Sequence, residues 1–150
     1  MQIHLDGSSP MNAPKERVFS LLTDPGFLAK TLPDAEDVRV LDGASLEAKL
    51  KMRVAVVSGT LRMKMTVAEK QPPERATLLA EGSGSGSTVR ISSVFTLLGD
   101  MPTTMNWSAD AEIGGVMAGL GSTLLKGYAS KKVGEIFDGI TKAVEEASAR

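Results

Sequence analysis

Hydrophobic and polar positions alternate along this chain in two rhythms, and the switches between them mark out its elements. At the start, Ile3 and Leu5 point one way while Gln2, His4 and Asp6 point the other, the period of two expected of a half-buried strand. Pro10 places its far end at an edge or bulge. In APKERVFSLLTDPGFLAKTLPD the rhythm turns helical. Pro14 is a helix-starting proline, Val18, Leu21 and Leu22 form one apolar stripe, and Asp24 before Pro25 caps a second short helix that closes at Pro33.

From about residue 36 the period returns to two. Leu46, Ala48, Leu50, Met52, Val54 and Val56 share one face of a long strand, with Glu47, Lys49, Lys51 and Arg53 on the other. Gly59 and Thr60 are the expected connection to a partner strand carrying Leu61, Met63, Met65 and Val67, so the pair reads as a hairpin. The stretch GSGSGS (82–87) is open to two readings: a flexible linker on composition, or a strand in which Gly82, Gly84 and Gly86 leave one face bare at a sharp sheet bend. Val89, Ile91, Ser93, Phe95 and Leu97 alternate next, followed by Met105, Trp107, Ala109, Ala111 and Ile113. From about residue 117 the spacing is helical to the end, with Met117, Leu120, Leu124, Tyr128, Val133, Ile136, Phe137, Ile140 and Val144 in one broad stripe. Such a helix of about 30 residues would span about 45 Å.

A strand, two short helices, a run of antiparallel strands and a long C-terminal helix make an α+β chain whose last helix must bury its stripe. The concave face of the sheet is the surface of matching length. At 150 residues the chain is expected to form one domain, 1–150, with an internal hydrophobic pocket where helix and curved sheet pack incompletely.

Composition narrows the chemistry. There are no cysteines and one histidine, which argues against thiolate chemistry and against zinc, since zinc sites ordinarily use three or four nitrogen or sulfur ligands. Neither a metal nor a cofactor is expected. The formal net charge of -1 gives no drive toward nucleic acid. Lys49, Lys51, Arg53, Arg62 and Lys64 share the outer face of the first hairpin, a solvated exterior with a weaker reading as a dock for an acidic partner or anionic membrane. No apolar run reaches the roughly 18 residues of a membrane span and the first residues lack a signal-peptide pattern, so a cytoplasmic location is expected. Eight methionines against an aromatic content of 4% suit an interior that adapts its shape.

The glycine-rich GGVMAGLGSTLLKGY (114–128) has no Lys-Ser or Lys-Thr at phosphate-loop spacing, and its apolar run is too short for a membrane-helix dimer face. Gly114 and Gly115 are expected to turn the chain out of the last strand, and Gly119 and Gly121 to keep the helix start thin where it meets the sheet. The expected lining of the pocket is Met52, Met63, Met65, Gly84, Phe95, Met105, Trp107, Met117, Leu120, Leu124 and Tyr128. Catalytic residues are not assigned. Tyr128 and Glu81 are the best candidates should the pocket perform acid–base work.

The segments APKERVFSLLTDPGFLAKTLPDAEDV (13–38), GGVMAGLGSTLL (114–125) and KKVGEIFDGI (131–140) resemble the G-subunit family of carbon monoxide dehydrogenase. That family lies within the START and birch-pollen-allergen (SRPBCC) superfamily, and the similarity covers nearly the whole chain. The resemblance implies a helix-grip fold around a hydrophobic cavity. It also implies non-catalytic binding of a lipid or quinone-like molecule by an accessory to a molybdenum hydroxylase-type dehydrogenase. The superfamily's cyclases and hydrolases supply the alternative, a small cavity enzyme. Where the family usually has Pro-Gly after the second helix this chain has Pro33 and Asp34. Many members carry a C-terminal extension thought to engage the membrane, whereas this chain ends with its last helix, so membrane contact is expected to be at most peripheral, at the inner face.

Overall fold

A computed structural model of the chain describes residues 1–32 and 34–149. Seven strands, β1 (Gln2–Met11), β2 (Ala35–Val40), β3 (Ser45–Val54), β4 (Val57–Gln71), β5 (Arg75–Gly84), β6 (Ser87–Leu98) and β7 (Thr103–Gly115), form one antiparallel sheet in the order β1-β7-β6-β5-β4-β3-β2. Consecutive hairpins run from β2 to β7, and β1 closes on β7 with Ile3 opposite Ala111 and Leu5 opposite Ala109. The helices are α1 (Lys15–Leu22), α2 (Pro25–Leu28) and α3 (Ser122–Ser148), the last preceded by a 3-10 turn over Met117–Leu120. This is the α+β order the periodicity predicts, in a helix-grip arrangement.

Local chemistry sets the boundaries of the short helices. Pro14 is the extended residue before α1. The exposed N–H of Lys15 donates to Asp100 Oδ1 at 2.9 Å, so the β6–β7 turn supplies the cap that proline cannot. Asp24 caps α2 by accepting from the Gly26 N–H at 2.9 Å. The expected helix stop at Pro33 lies outside the described residues.

Two expectations change, and one of two open readings is decided. The first hairpin turns at Ala55 and Val56, not at Gly59 and Thr60, because Val54 already pairs with Val57. Val56 therefore leaves the buried face and is 94% exposed. Gly59 stays in the strand, where a Cβ would strike the Ser85 side chain. Second, GSGSGS is no linker: it ends β5, turns at Ser85 and Gly86 and begins β6. Its glycines admit the neighbouring strand, since a Cβ at Gly82 would meet the Met63 sulfur and the Arg62 carbonyl, and one at Gly84 the Thr60 carbonyl. Third, a Cβ at Gly119 or Gly121 would meet nothing within 4 Å, so these glycines do not thin a helix–sheet contact. Gly121, at φ +90, instead gives the chain the left-handed residue that separates the 3-10 turn from α3.

The buried side chains fall into two clusters at opposite ends of the sheet–helix layer. One gathers Met11, Val18, Leu22, Phe95, Leu97, Met105, Ile140 and Val144 beneath α1, α2 and the end of α3. The other gathers Ile3, Met52, Val54, Leu61, Met63, Ile113, Met117 and Leu125 beneath the start of α3.

Candidate functional site

Between the two clusters lies a band in which the inner face of the sheet is only half-buried. On β5 to β7 the band is Leu78, Ala80, Ile91, Ser93, Ala109 and Ala111. The strand register aligns them in two rows, Leu78–Ser93–Ala109 and Ala80–Ile91–Ala111. Four of the six are alanine or serine. Small side chains here, and Phe95, Trp107, Met105, Met63 and Ile113 toward the ends, give the inner face a hollow middle between thick rims. Among the described residues no charged side chain of β5, β6 or β7 points to this face. Within the band, Ser93 Oγ donates to the Leu78 carbonyl at 3.2 Å.

The helix shows the same profile. Leu125 and Ile140 are buried, at 1% and 6% exposure, whereas Tyr128, Val133, Ile136 and Phe137 between them are half-buried. The two anchors are about 22 Å apart along the axis. α3 comes nearest the sheet at β1 and, across it, at β3, while β4 to β7 stand farther off. A curved sheet held to the helix at its flanks and packed at both ends leaves the apolar middle of its inner face only half-buried.

Two open depressions flank the helix, one on each side. One, of ≈ 560 Å³, lies between the β3–β4 hairpin and α3 and includes Met52, Gly59, Tyr128, Lys131 and Lys132. At its edge Lys132 Nζ donates to Asp34 Oδ2 at 2.7 Å and to Glu135 Oε2 at 3.4 Å. The hydrogen bond from Lys132 holds the Asp34 carboxyl below its usual range, and the same bond raises Lys132. The other depression, of ≈ 220 Å³, lies between β1 and α3 over Leu5, Trp107, Val133 and Phe137. Trp107 stacks on Phe137 with ring centroids 4.7 Å apart and lies against Gly7, where a Cβ would sit 2.7 Å from the indole. A further depression, of ≈ 660 Å³, is on the outer face instead, over Arg62, Lys64, Glu81, Arg90 and Glu112. It is open to water and lined by charge, so the apolar interior is the better site.

The expected lining residues divide by place. Met52, Met63 and Met117 are buried in the cluster at the start of α3, and Phe95 and Met105 in the other. They belong to the packed clusters on either side of the half-buried band. Met65, Trp107, Leu120 and Tyr128 are half-buried and flank it. Two expectations are corrected. Leu124 is 44% exposed, and Leu125 takes the inward position because the turn at Gly121 resets the helical phase. Gly84 serves the approach of β4 rather than the interior. Glu81 is exposed on the outer face, opposite Lys64 and Arg90, so it and Tyr128 do not form an acid–base pair. The hollow's own residues, Ala80, Ser93, Ala109 and Ala111, are absent from the expected lining because large apolar side chains mark a pocket in sequence and small ones do not. The available signal was the run of small residues on a period-two face.

The described residues contain no cluster of three or more histidine, cysteine, aspartate or glutamate side chains able to hold a metal. No helix among them is long and apolar enough to cross a membrane.

Comparison with known proteins agrees with this architecture. A conserved protein from Geobacillus kaustophilus superimposes with a TM-score of 0.86 at 26% identity, covering 97% of each chain. An aromatase/cyclase from a Streptomyces species matches at a TM-score of 0.67 and 15% identity, over 97% of this chain and 94% of the other. A START superfamily protein from Mycobacterium smegmatis matches at 0.63 and 16%, over 97% of each. The two latter likenesses establish the fold alone. A search of curated proteins finds no match. The sequence family described as the G-subunit of carbon monoxide dehydrogenase (CoxG) matches residues 7–145. With that match over nearly all of a START-like, cavity-containing helix-grip fold, the chain belongs to the carbon monoxide dehydrogenase CoxG family.

Proposed function

We propose that this protein binds a lipophilic small molecule, a lipid or a quinone-like compound, in the hollow between α3 and the middle of the sheet, without transforming it. Residues 1–150 act in this reading as one domain. The family suggests the setting, an accessory to a molybdenum hydroxylase-type dehydrogenase working in the cytoplasm or at the inner face of the membrane. The observation that carries the reading is the coincidence of half-buried apolar positions on mid-sheet and mid-helix, with fully buried residues on both sides of each. An apolar molecule there would remove that surface from water, worth about 25 cal/mol per Å².

Native mass spectrometry of the purified full chain, followed by organic-solvent extraction, tests the proposal. The expected result is a co-purifying apolar molecule, or uptake of an added short-chain quinone that quenches Trp107 fluorescence. Ala109→Leu, which fills the hollow, should reduce that uptake at least tenfold with little change in thermal stability. Wild-type protein that carries nothing and takes up neither quinone nor fatty acid would overturn the reading.

A further inference from the structure

The sheet is open, with β1 at one edge and β2 at the other, and the two edges are built differently. β2 is six residues long, its register with β3 shifts between Glu36 and Arg39, and Asp37 within it has φ +50. A bulge and a left-handed residue break the row of N–H and C=O groups that a further strand would need. β1 is ten residues long and pairs with β7 without a register shift from Gln2–Glu112 to Met11–Thr103. It carries no lysine or arginine to repel an added strand.

The direction of its free groups follows from its first ladder bonds. The Met1 N–H donates to the Ile113 carbonyl at 3.0 Å, and the Ile113 N–H to the Met1 carbonyl at 2.8 Å. In an antiparallel pair such doubly bonded residues alternate with residues whose backbone groups point away. The odd-numbered residues of β1 therefore bond β7, and Gln2, His4, Asp6 and Ser8 turn their N–H and C=O groups outward. All four are exposed, and among the described residues no other element bonds those groups. Pro10, next in the outward series, has no N–H and ends the run.

This edge is complementary to itself in one register. A second β1 laid antiparallel can form a ladder only where outward residues face outward residues. With Leu5 opposite Leu5, His4 faces Asp6 and Gln2 faces Ser8 of the second copy, twice over by symmetry, and Pro10 falls outside the ladder. The neighbouring register on one side sets His4 against His4. The one on the other side sets Asp6 against Asp6 and Pro10 against Gln2. Opposite charges across strands favour the first register and like charges disfavour the others. On the inner side, Leu5 is half-buried in the depression between β1 and α3, which α3 borders with the exposed Ser130, Gly134 and Asp138. A Cβ at Gly134 would meet nothing within 4 Å, so the helix leaves room beside the edge.

We propose that the protein pairs with a second copy of itself along the free edge of β1, in the antiparallel register centred on Leu5, joining two seven-stranded sheets into one. About eight backbone hydrogen bonds would form. One strand pair is a small interface, so the association is reversible and concentration-dependent. It rests on the strand edge alone and not on ligand binding.

Sedimentation velocity of the full chain from about 1 μM to about 0.5 mM, a range that brackets micromolar association, is the first test. It is run at pH 6, where Asp110 and then Asp6 keep His4 charged. The expected result is a shift from monomer to dimer. Register is read by cross-linking, since the chain has no cysteine of its own. Leu5→Cys would bring two thiols together at the symmetry axis, where facing Cα atoms about 4.5 Å apart are within disulfide reach. Oxidised glutathione should link this variant into a dimer and leave Ser9→Cys monomeric. His4→Asp and Asp6→Lys, both at exposed positions, should each weaken self-association about tenfold, and an equimolar mixture of the two should restore it by pairing unlike copies. Melting curves at about 1 μM check that each variant is folded. A wild-type chain that stays monomeric at about 0.5 mM, equal cross-linking of the two cysteine variants, or a mixture of folded charge variants that associates no better than either alone would each overturn the proposal.

Discussion

His4 stands on the outer face of β1, its two ring nitrogens facing Asp110 Oδ1 at 2.7 Å and Asp6 Oδ2 at 3.1 Å. Both contacts can be donated together only by the imidazolium, and the bond to Asp110 first, then that to Asp6, raises the histidine above its ordinary 6.5. A folded-state value above the unfolded one stabilises the protein fully below the unfolded value and ceases to do so as pH rises through the folded value. His4→Gln should therefore lower the melting temperature at pH 6 and leave it unchanged at high pH, with an NMR titration midpoint for His4 above 6.5. A midpoint at or below 6.5 would contradict the arrangement. Gly7 supplies a second prediction at this scale. A methyl there would sit 2.7 Å from the Trp107 indole, which the stacked Phe137 ring backs. Gly7→Ala should cost about 1–3 kcal/mol by overpacking, measured by chemical denaturation, and an unchanged midpoint would mean the indole is free to move.

At the level of elements, α3 is two anchors joined by a less buried span. Leu125→Ala, in the packed cluster at its start, should cost about 2–5 kcal/mol, and Ile136→Ala, over the hollow, less than about 1.5 kcal/mol. Equal losses in denaturation would mean the middle of the helix is as tightly packed as its ends. The identity of most elements was legible from periodicity, because a period of two on β3, β4, β6 and β7 and a helical stripe from 125 onward are direct consequences of burying one face. The phase at the junctions was less so. Leu124 fits an uninterrupted helix from Met117, but Gly121 breaks the phase and Leu125 points inward instead. Val56 fits the alternation of β3, but the tight turn at Ala55, whose φ is +54, ends the strand before it. In both places one residue of backbone conformation overrides the side-chain pattern, and apolar side chains are left in water.

Across the whole molecule, the outer face of the sheet carries a row of charges that alternates from strand to strand: Arg39, Glu47, Lys64, Glu81, Arg90 and Glu112, each opposite the next. Opposite charges across strands favour this register by a few tenths of a kcal/mol to about 1 kcal/mol each at most, and a slip of one residue would place the charges inside. The inner face answers with the hollow. Lys49, Lys51, Arg53, Lys126, Lys131 and Lys132 gather at one end, where Asp37, Glu36 and Asp34 pair with Lys49, Lys51 and Lys132. The same sheet thus presents a back of alternating opposite charges, an apolar inner face and a cationic, apolar-tipped end, and the proposed ligand uptake belongs to the inner face.

The order of elements, the faces they bury and the family were set by the linear sequence, because burial periodicity and the segments at 13–38, 114–125 and 131–140 are local properties. Which apolar residues close the interior and which leave it open was decided only by the tertiary structure. Met52 and Ala109 alternate equally well in their strands, but sheet curvature carries Met52 into a packed end and Ala109 beneath the unsupported middle of α3. The cationic end likewise is spread over segments far apart in the chain, and only the meeting of the β3–β4 tip, the β5–β6 turn and the start of α3 gathers it around Val56, Val116 and Leu124.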